Sequence, residues 1–308
     1  MFGLALAGRI FSNTPYRWRF RTPLFAKAFY FGYPLMFNGL GLAVSSLADR
    51  FLVGAMLGLP ALGVYSVLML VMTIPVSIGS RIVSSVTLPM LLNRTGAPAA
   101  LQARLKLASR TIPLVAATLG AGILALFNIV VPLVFGHNFV ASRWMVVLLA
   151  FSAFFRMARG DPGTAILMIE GRTKRLALAN LIVGGGLIFA AAFMAFAPTI
   201  EAATLGRCLG EVLGLAAMLY LTRSMMKAAI RDNLLTIGLS SVVLCLGGAF
   251  VVLGSVGNKI APSLAFLCLA AAVLGFWVLR SRPLMAEAGF SVLSRGAPPG
   301  GQATRSSG

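Results

Sequence analysis

The chain has 308 residues, of which 59% are hydrophobic and 11% charged, with a mean hydropathy of +0.93. Soluble domains carry roughly 45–50% apolar and about 25% charged residues, so a water-soluble globule is excluded. The 26 Lys and Arg outnumber the 7 Asp and Glu, for a formal net charge of +19; because they interrupt long apolar blocks, they point to membrane topology rather than nucleic acid.

The reactive inventory is equally restrictive. His137 is the single histidine, and Cys208, Cys245 and Cys268 lie far apart. No zinc-ligand cluster, disulfide framework or Ser-His-Asp constellation can be assembled from them. Neither an enzyme nor a bound metal or cofactor is expected.

In chain order, residues 1–27 carry Arg9, Arg17, Arg19, Arg21 and Lys27 behind a short apolar stretch. That order is the reverse of a signal peptide and reads as a basic cytoplasmic connector. Eight apolar segments follow, near 29–53, 61–91, 111–135, 141–169, 176–198, 202–222, 234–255 and 262–280. Each is long enough to cross a hydrocarbon core of about 30 Å as a helix. The tail from 283 is rich in Gly, Pro and Ser and is expected to be disordered. The resulting division is connector 1–27, a six-helix membrane lobe 28–222, two further spans in 223–282, and a tail 283–308.

The loops carry a strong charge bias. Nineteen basic residues fall on the termini and alternate loops, whereas the opposite ends and loops hold Arg50, Arg143 and Lys259. This asymmetry predicts eight spans with both termini in the cytoplasm. Orientation and contact with anionic lipid account for most of these charges.

Charges inside the spans are costly and need a reason. In the fourth span Arg156 and Arg159 share a helix face near mid-depth, followed by Gly160-Asp161-Pro162-Gly163, which predicts a kink or unwound turn. Asp161 either neutralises one arginine or helps to line a pathway. In the sixth span Arg207 and Glu211 stand at i and i+4, where pairing along one face is the expectation. Ser77, Ser80, Ser84 and Ser85 give the second span a polar section suited to helix association, with Arg81 as its cavity candidate. Asp49 and Arg50 are expected at the interface or on a pathway, and Asn38 in an interhelical hydrogen bond. No phosphate-binding loop is present, so the chain does not drive transport by its own ATP hydrolysis.

Several stretches carry a family resemblance. They are Asp49-Arg50 closing a helix, the LG-x-x-x-LG-x-Y turn from Leu57 to Tyr65, Pro75 with Pro89, the connector from Glu170 to Asn180, and the run from Thr204 to Leu215. Their order resembles the polysaccharide flippases of the multidrug/oligosaccharidyl-lipid/polysaccharide exporter superfamily over about residues 20–225. The resemblance implies an all-α integral membrane fold with one six-helix flippase lobe and two trailing helices, matching the C-terminal half of such proteins. It implies a bacterial inner-membrane transporter of lipid-linked oligosaccharide with a polyprenyl pyrophosphate head, for O-antigen, capsule or exopolysaccharide. Arg81, Arg156, Arg159 and Arg207 would contact the anionic cargo, and Asp49, Asp161 and Glu211 would serve ion coupling or the pathway. The expected partners are that substrate, membrane lipids and a separate chain supplying the first lobe. The rival readings are a truncated, non-transporting remnant, an assembly subunit of polysaccharide machinery, and a multidrug exporter. A surplus of basic over acidic residues within the spans argues against the last.

Overall fold

Within hydrocarbon every backbone N–H and C=O must be paired inside its own segment, which leaves the apolar blocks one economical conformation, the α-helix. The computed structural model describes residues 22–92, 98–136, 139, 141–160, 162–227, 229–253 and 275. Among the described residues it is helical throughout its regular structure, without strands. Helix α1 (Thr22–Ala43) runs through a five-residue π-helical turn (Val44–Ala48) into α2 (Asp49–Leu92). Then follow α3 (Pro98–Phe135), α4 (Arg143–Gly160), α5 (Gly163–Ile169), α6 (Thr173–Gly184), α7 (Gly186–Phe196), α8 (Ile200–Thr222) and α9 (Ile230–Leu253).

Glycine punctuates these helices where the backbone must turn. Gly58 has φ 82° and ψ 175°, which divides α2 into two arms. The first arm completes the span begun by α1; the second, entered through Pro60, is the next span. The first span therefore reaches Leu57, beyond its expected end at residue 53, and this places Asp49 a full two turns inside it. Gly136 (φ 86°) and Gly171 (φ 69°) make the turns after α3 and α5, a left-handed conformation that side chains with a Cβ rarely adopt. Polar caps start two later helices: the Met145 N–H donates to Ser142 Oγ (3.1 Å) and the Ala202 N–H to Thr199 Oγ1 (3.2 Å).

Among the described residues five helices are long and apolar enough to cross a membrane, and one of these, Gly32–Leu92, contains the break at Gly58. The first seven expected spans coincide with helical segments. The eighth, 262–280, lies outside the described residues except for Gly275, as do the connector up to residue 21 and the tail 283–308. The fourth span is interrupted as its sequence predicts: α4 stops at Gly160 and α5 starts at Gly163. The fifth span is also two helices, α6 and α7, joined at Gly185.

Helix α4 occupies the middle, packed between α3 and α8 and against the second arm of α2; α6 joins α1 to α8, α7 lies on α8, and α9 lies on α3. Tyr65, Phe127, Phe154, Met145 and Leu149 fill the centre. One face of α8 carries Gly206, Gly210 and Gly214 at four-residue spacing. A Cβ on Gly206 would sit 2.2 Å from the Ala190 nitrogen, and one on Gly210 would sit 2.7 Å from the Gly186 Cα. The absence of side chains thus lets α7 and α8 approach backbone to backbone, the usual way membrane helices gain dispersion contact where lipid supplies no hydrophobic drive.

Candidate functional site

The polar groups that the spans carry at depth converge on one place. On α8, Arg207 Nη1 pairs with Asp49 Oδ2 at 2.5 Å, and the same carboxylate oxygen accepts from the Tyr65 hydroxyl at 2.7 Å. Asp49 Oδ1 accepts from the Arg50 backbone N–H at 2.9 Å. One turn along α8, Glu211 Oε2 accepts from Arg159 Nε of α4 at 3.3 Å. Arg159 Nη1 donates to Asn180 Oδ1 of α6, and Asn180 Nδ2 donates to Asn38 Oδ1 of α1. Five of the spans therefore contribute to two adjacent hydrogen-bonded networks, one around Asp49 and Arg207 and one around Glu211 and Arg159, both carried by α8.

Local packing explains how α1 reaches it. A Cβ at Gly41 would lie 2.9 Å from the Asn180 carbonyl carbon and oxygen, so only glycine allows Asn38 to approach Asn180 this closely. On the other side, a Cβ at Gly214 would sit 2.1 Å from Val183 Cγ2 and 3.1 Å from Arg159 Cδ. The glycine stripe of α8 therefore makes room for the arginine stem as well as for a neighbouring helix.

The ion pairs are buried: the side chains of Arg159 and Glu211 are 7% and 1% exposed, and those of Arg207 and Asp49 are 6% each. Isolated charges in such a setting would cost several kcal/mol each, so pairing is the condition for their being there. Both carboxylates are committed, Asp49 to Arg207 and Glu211 to Arg159. Arg156, on the same face of α4, donates Nη2 to Ser46 Oγ in the π-helical turn at 3.4 Å, while its Nη1 is buried without a hydrogen-bond partner. Arg207 Nε is likewise buried and unpartnered. Beside the assembly lies a small cleft lined by Asp49, Gly186, Arg207 and Glu211 among others, with room for roughly one water.

Several sequence expectations are corrected by this geometry. Arg207 and Glu211 do not pair along α8; each turns to a partner on another helix, since an acidic group and a guanidinium across the interface also cancel two desolvation costs there. Asp49, expected at the interface or on a pathway, is buried within the protein at 4% exposure. Arg81, the cavity candidate of the second span, is exposed on the second arm of α2 and takes no part in these buried ion pairs. Of the serines expected to join helices, Ser77 and Ser85 instead donate their hydroxyls to their own helix, at the Ile74 and Ile82 carbonyls. Asp161 lies outside the described residues; among the described residues, the carboxylate paired with Arg159 is Glu211. Asn38 makes the interhelical bond expected of it.

Three members were missed by sequence reasoning. Tyr65 and Asn180 counted only as the ends of stretches carrying the family resemblance, and Ser46 not at all. Asn180 had a readable signal, since an amide inside the apolar run LALANLIVG needs a partner at depth. No group of metal-ligating side chains occurs among the described residues.

Residues 4–143 match the family model described as polysaccharide biosynthesis protein. The match supports the polysaccharide flippase/exporter family named by the resemblance. No curated protein and no solved structure matches the chain.

Proposed function

We propose that this chain, a multi-pass membrane protein whose residues 4–143 belong to the polysaccharide biosynthesis family, is a transport lobe for a lipid-linked oligosaccharide with an anionic head. The observation that carries the reading is the arginine surplus buried within the spans. Three guanidinium groups (Arg156, Arg159, Arg207) meet two carboxylates (Asp49, Glu211), and the remaining positive charge has no counter-ion among the described residues. A membrane interior tolerates such a charge where it serves a cargo or pathway. A pyrophosphate or acidic sugar supplies the missing anion, whereas a cationic drug is repelled.

In this reading a first lobe, whether part of the same protein or a separate chain, contributes the opposite wall of the cavity. Exposed Arg81 on α2 serves that wall rather than the buried assembly. The protein resides in a bacterial inner membrane with both termini in the cytoplasm. Cysteine labelling at Gly136, Gly171 and Gly257 checks the orientation: Gly136 and Gly257 should react from outside and Gly171 from inside.

The functional test is polymer export in cells that also make the complementary lobe. Arg156→Ala should impair export with protein abundance nearly unchanged, and Arg156→Lys should retain part of it, because lysine keeps the charge but loses the planar fork that suits phosphate. Full export by a stable Arg156→Ala variant would remove the reading of this arginine as a contact for transported cargo. Normal polymer export with normal abundance in a strain lacking the chain would instead favour a remnant or an assembly subunit.

A further inference from the structure

The four arginines expected at the cargo are not equivalent in the structure, and the difference assigns them separate tasks. Arg159 and Arg207 have their charge cancelled by Glu211 and Asp49, at 3.3 and 2.5 Å, in surroundings under a tenth exposed. Each is held further, Arg159 by Asn180 and Arg207 through the Tyr65–Asp49 bond. A ligand that took either guanidinium would strand a buried carboxylate, a loss of several kcal/mol before any contact was gained. Arg156 faces no such obstacle. Its one hydrogen bond among the described residues is to a neutral hydroxyl, at the long distance of 3.4 Å, and Nη1 has an open donor position.

Its partner is also unusual. Ser46 lies in the π-helical turn Val44–Ala48, where the hydrogen-bond ladder of the first span changes register between α1 and α2. Such turns are rare and recur at functional positions. The wall opposite Arg156 is therefore a point where the first span departs from regular α-helical bonding. Parting Ser46 from Arg156 frees both Nη atoms together, in the fork that binds two oxygens of one phosphate or carboxylate.

We infer that Arg156 is a single-guanidinium subsite for one oxyanion group, admitted when the Ser46 contact opens, and that Arg159 and Arg207 are positioning residues that fix α4 and α8 behind it. The inference deepens the transport reading and rests on it for the identity of the cargo. The subsite itself requires only an oxyanion, whether from a lipid pyrophosphate head or from a free phosphate.

Binding of inorganic pyrophosphate to the purified full chain in lipid nanodiscs tests the assignment, followed by the shift of the thermal unfolding midpoint and compared with sodium chloride at matched ionic strength. Pyrophosphate should stabilise the wild type beyond the salt control. Arg156→Gln should weaken it by roughly tenfold or more, the loss expected for a charge-assisted contact, and Arg156→Lys by less. Arg110→Gln, outside the assembly, should bind as wild type. A second measurement needs no variant: pyrophosphate should slow modification of Arg156 by phenylglyoxal, located by mass spectrometry, while leaving Arg81 unaffected. Polyprenyl pyrophosphate placed in the nanodisc should compete if the lipid head is the source; competition by free pyrophosphate alone assigns the site to soluble phosphate. Equal protection by sodium chloride, unchanged affinity in Arg156→Gln, or protection of every arginine alike would overturn the inference. The two readings fail separately. Pyrophosphate bound through Arg156 with normal export in Arg156→Gln removes the transport reading alone, whereas impaired export with unchanged pyrophosphate affinity removes the subsite alone.

Discussion

Helices α8 and α9 are nearly equal in length, 23 and 24 residues, yet they occupy opposite kinds of place. The more apolar of the two, α9, has 33% of its core window buried, and the less apolar α8 has 61%. In water the order would be reversed. In a bilayer the tails are as apolar as leucine, so hydrophobicity gives a helix no reason to seek protein, and small and polar residues do so instead. Helix α8 is held by three glycines on one face and by Arg207 and Glu211 within its length. Helix α9 turns Leu235, Leu239, Val242, Leu246 and Phe250 outward and keeps Asn233, Thr236 and Ser240 toward the protein. Its ion pair, Asp232 with Arg110 at 3.0 Å, lies at one end and is about a quarter exposed on each side.

That contrast is sharpest for charge. Asp49→Asn should destabilise the fold by about 3–5 kcal/mol, because it leaves Arg207 buried without its counter-ion and weakens the anchor of Tyr65. Asp232→Asn, at the exposed end of α9, should cost less than about 1 kcal/mol. Unfolding of the purified variants in mild detergent, followed by loss of monodisperse protein with temperature, measures both. Equal effects would show that depth in the structure does not govern what these carboxylates contribute.

A single methyl group sharpens the packing side of the comparison. Gly206→Ala places its Cβ within 2.3 Å of Ala190 backbone atoms, so α7 and α8 must separate. Overpacking of this kind costs about 1–3 kcal/mol. Gly238→Ala on α9 meets nothing within 4 Å, and the gain in helix propensity should leave it neutral or stabilised by up to about 1 kcal/mol. Opposite signs from the same chemical change are the expected result in a thermal unfolding comparison.

The sequence makes the spans legible because hydrocarbon thickness and backbone pairing leave one answer, and the first seven expected segments agree with the helices. It also marks which residues need a reason to be at depth: Asp49, Arg159, Arg207 and Glu211 all enter the two adjacent networks, and Arg156 donates to Ser46. What it does not carry is the pairing. Periodicity tells which face of α8 holds Arg207 and Glu211, but their partners lie on other helices, and Asp49 is 158 residues from Arg207. Arg81 shows the converse problem, since a charge within an apolar run reads the same whether it points into the bundle or out of it. The boundary of the first span was missed for a local reason. Its sequence stays apolar through the turn at Gly58, so composition gave no edge to find, and an end set too early moved Asp49 to the interface.

The smallest effect concerns the link between α1 and α6. Asn180 spends its carbonyl on Arg159 and its amide on Asn38, so the amide chain joins the first span to the ion pair on α4. Asn38→Leu removes one acceptor and leaves the Asn180 amide to find another. Polar contacts between membrane helices are worth about 0.6 kcal/mol on average and up to about 1.7, because the separated helices also find partners. A cycle of Asn38→Leu, Asn180→Leu and the double variant should therefore give a coupling within that range, well below the loss expected at Asp49. The single Asn180→Leu change should cost more than Asn38→Leu, since it also deprives Arg159 of a support beside Glu211. If the two single changes cost the same and show no coupling, the chain from Asn38 to Arg159 does not act as a unit, and the close approach of α1 to α6 rests on Gly41 alone.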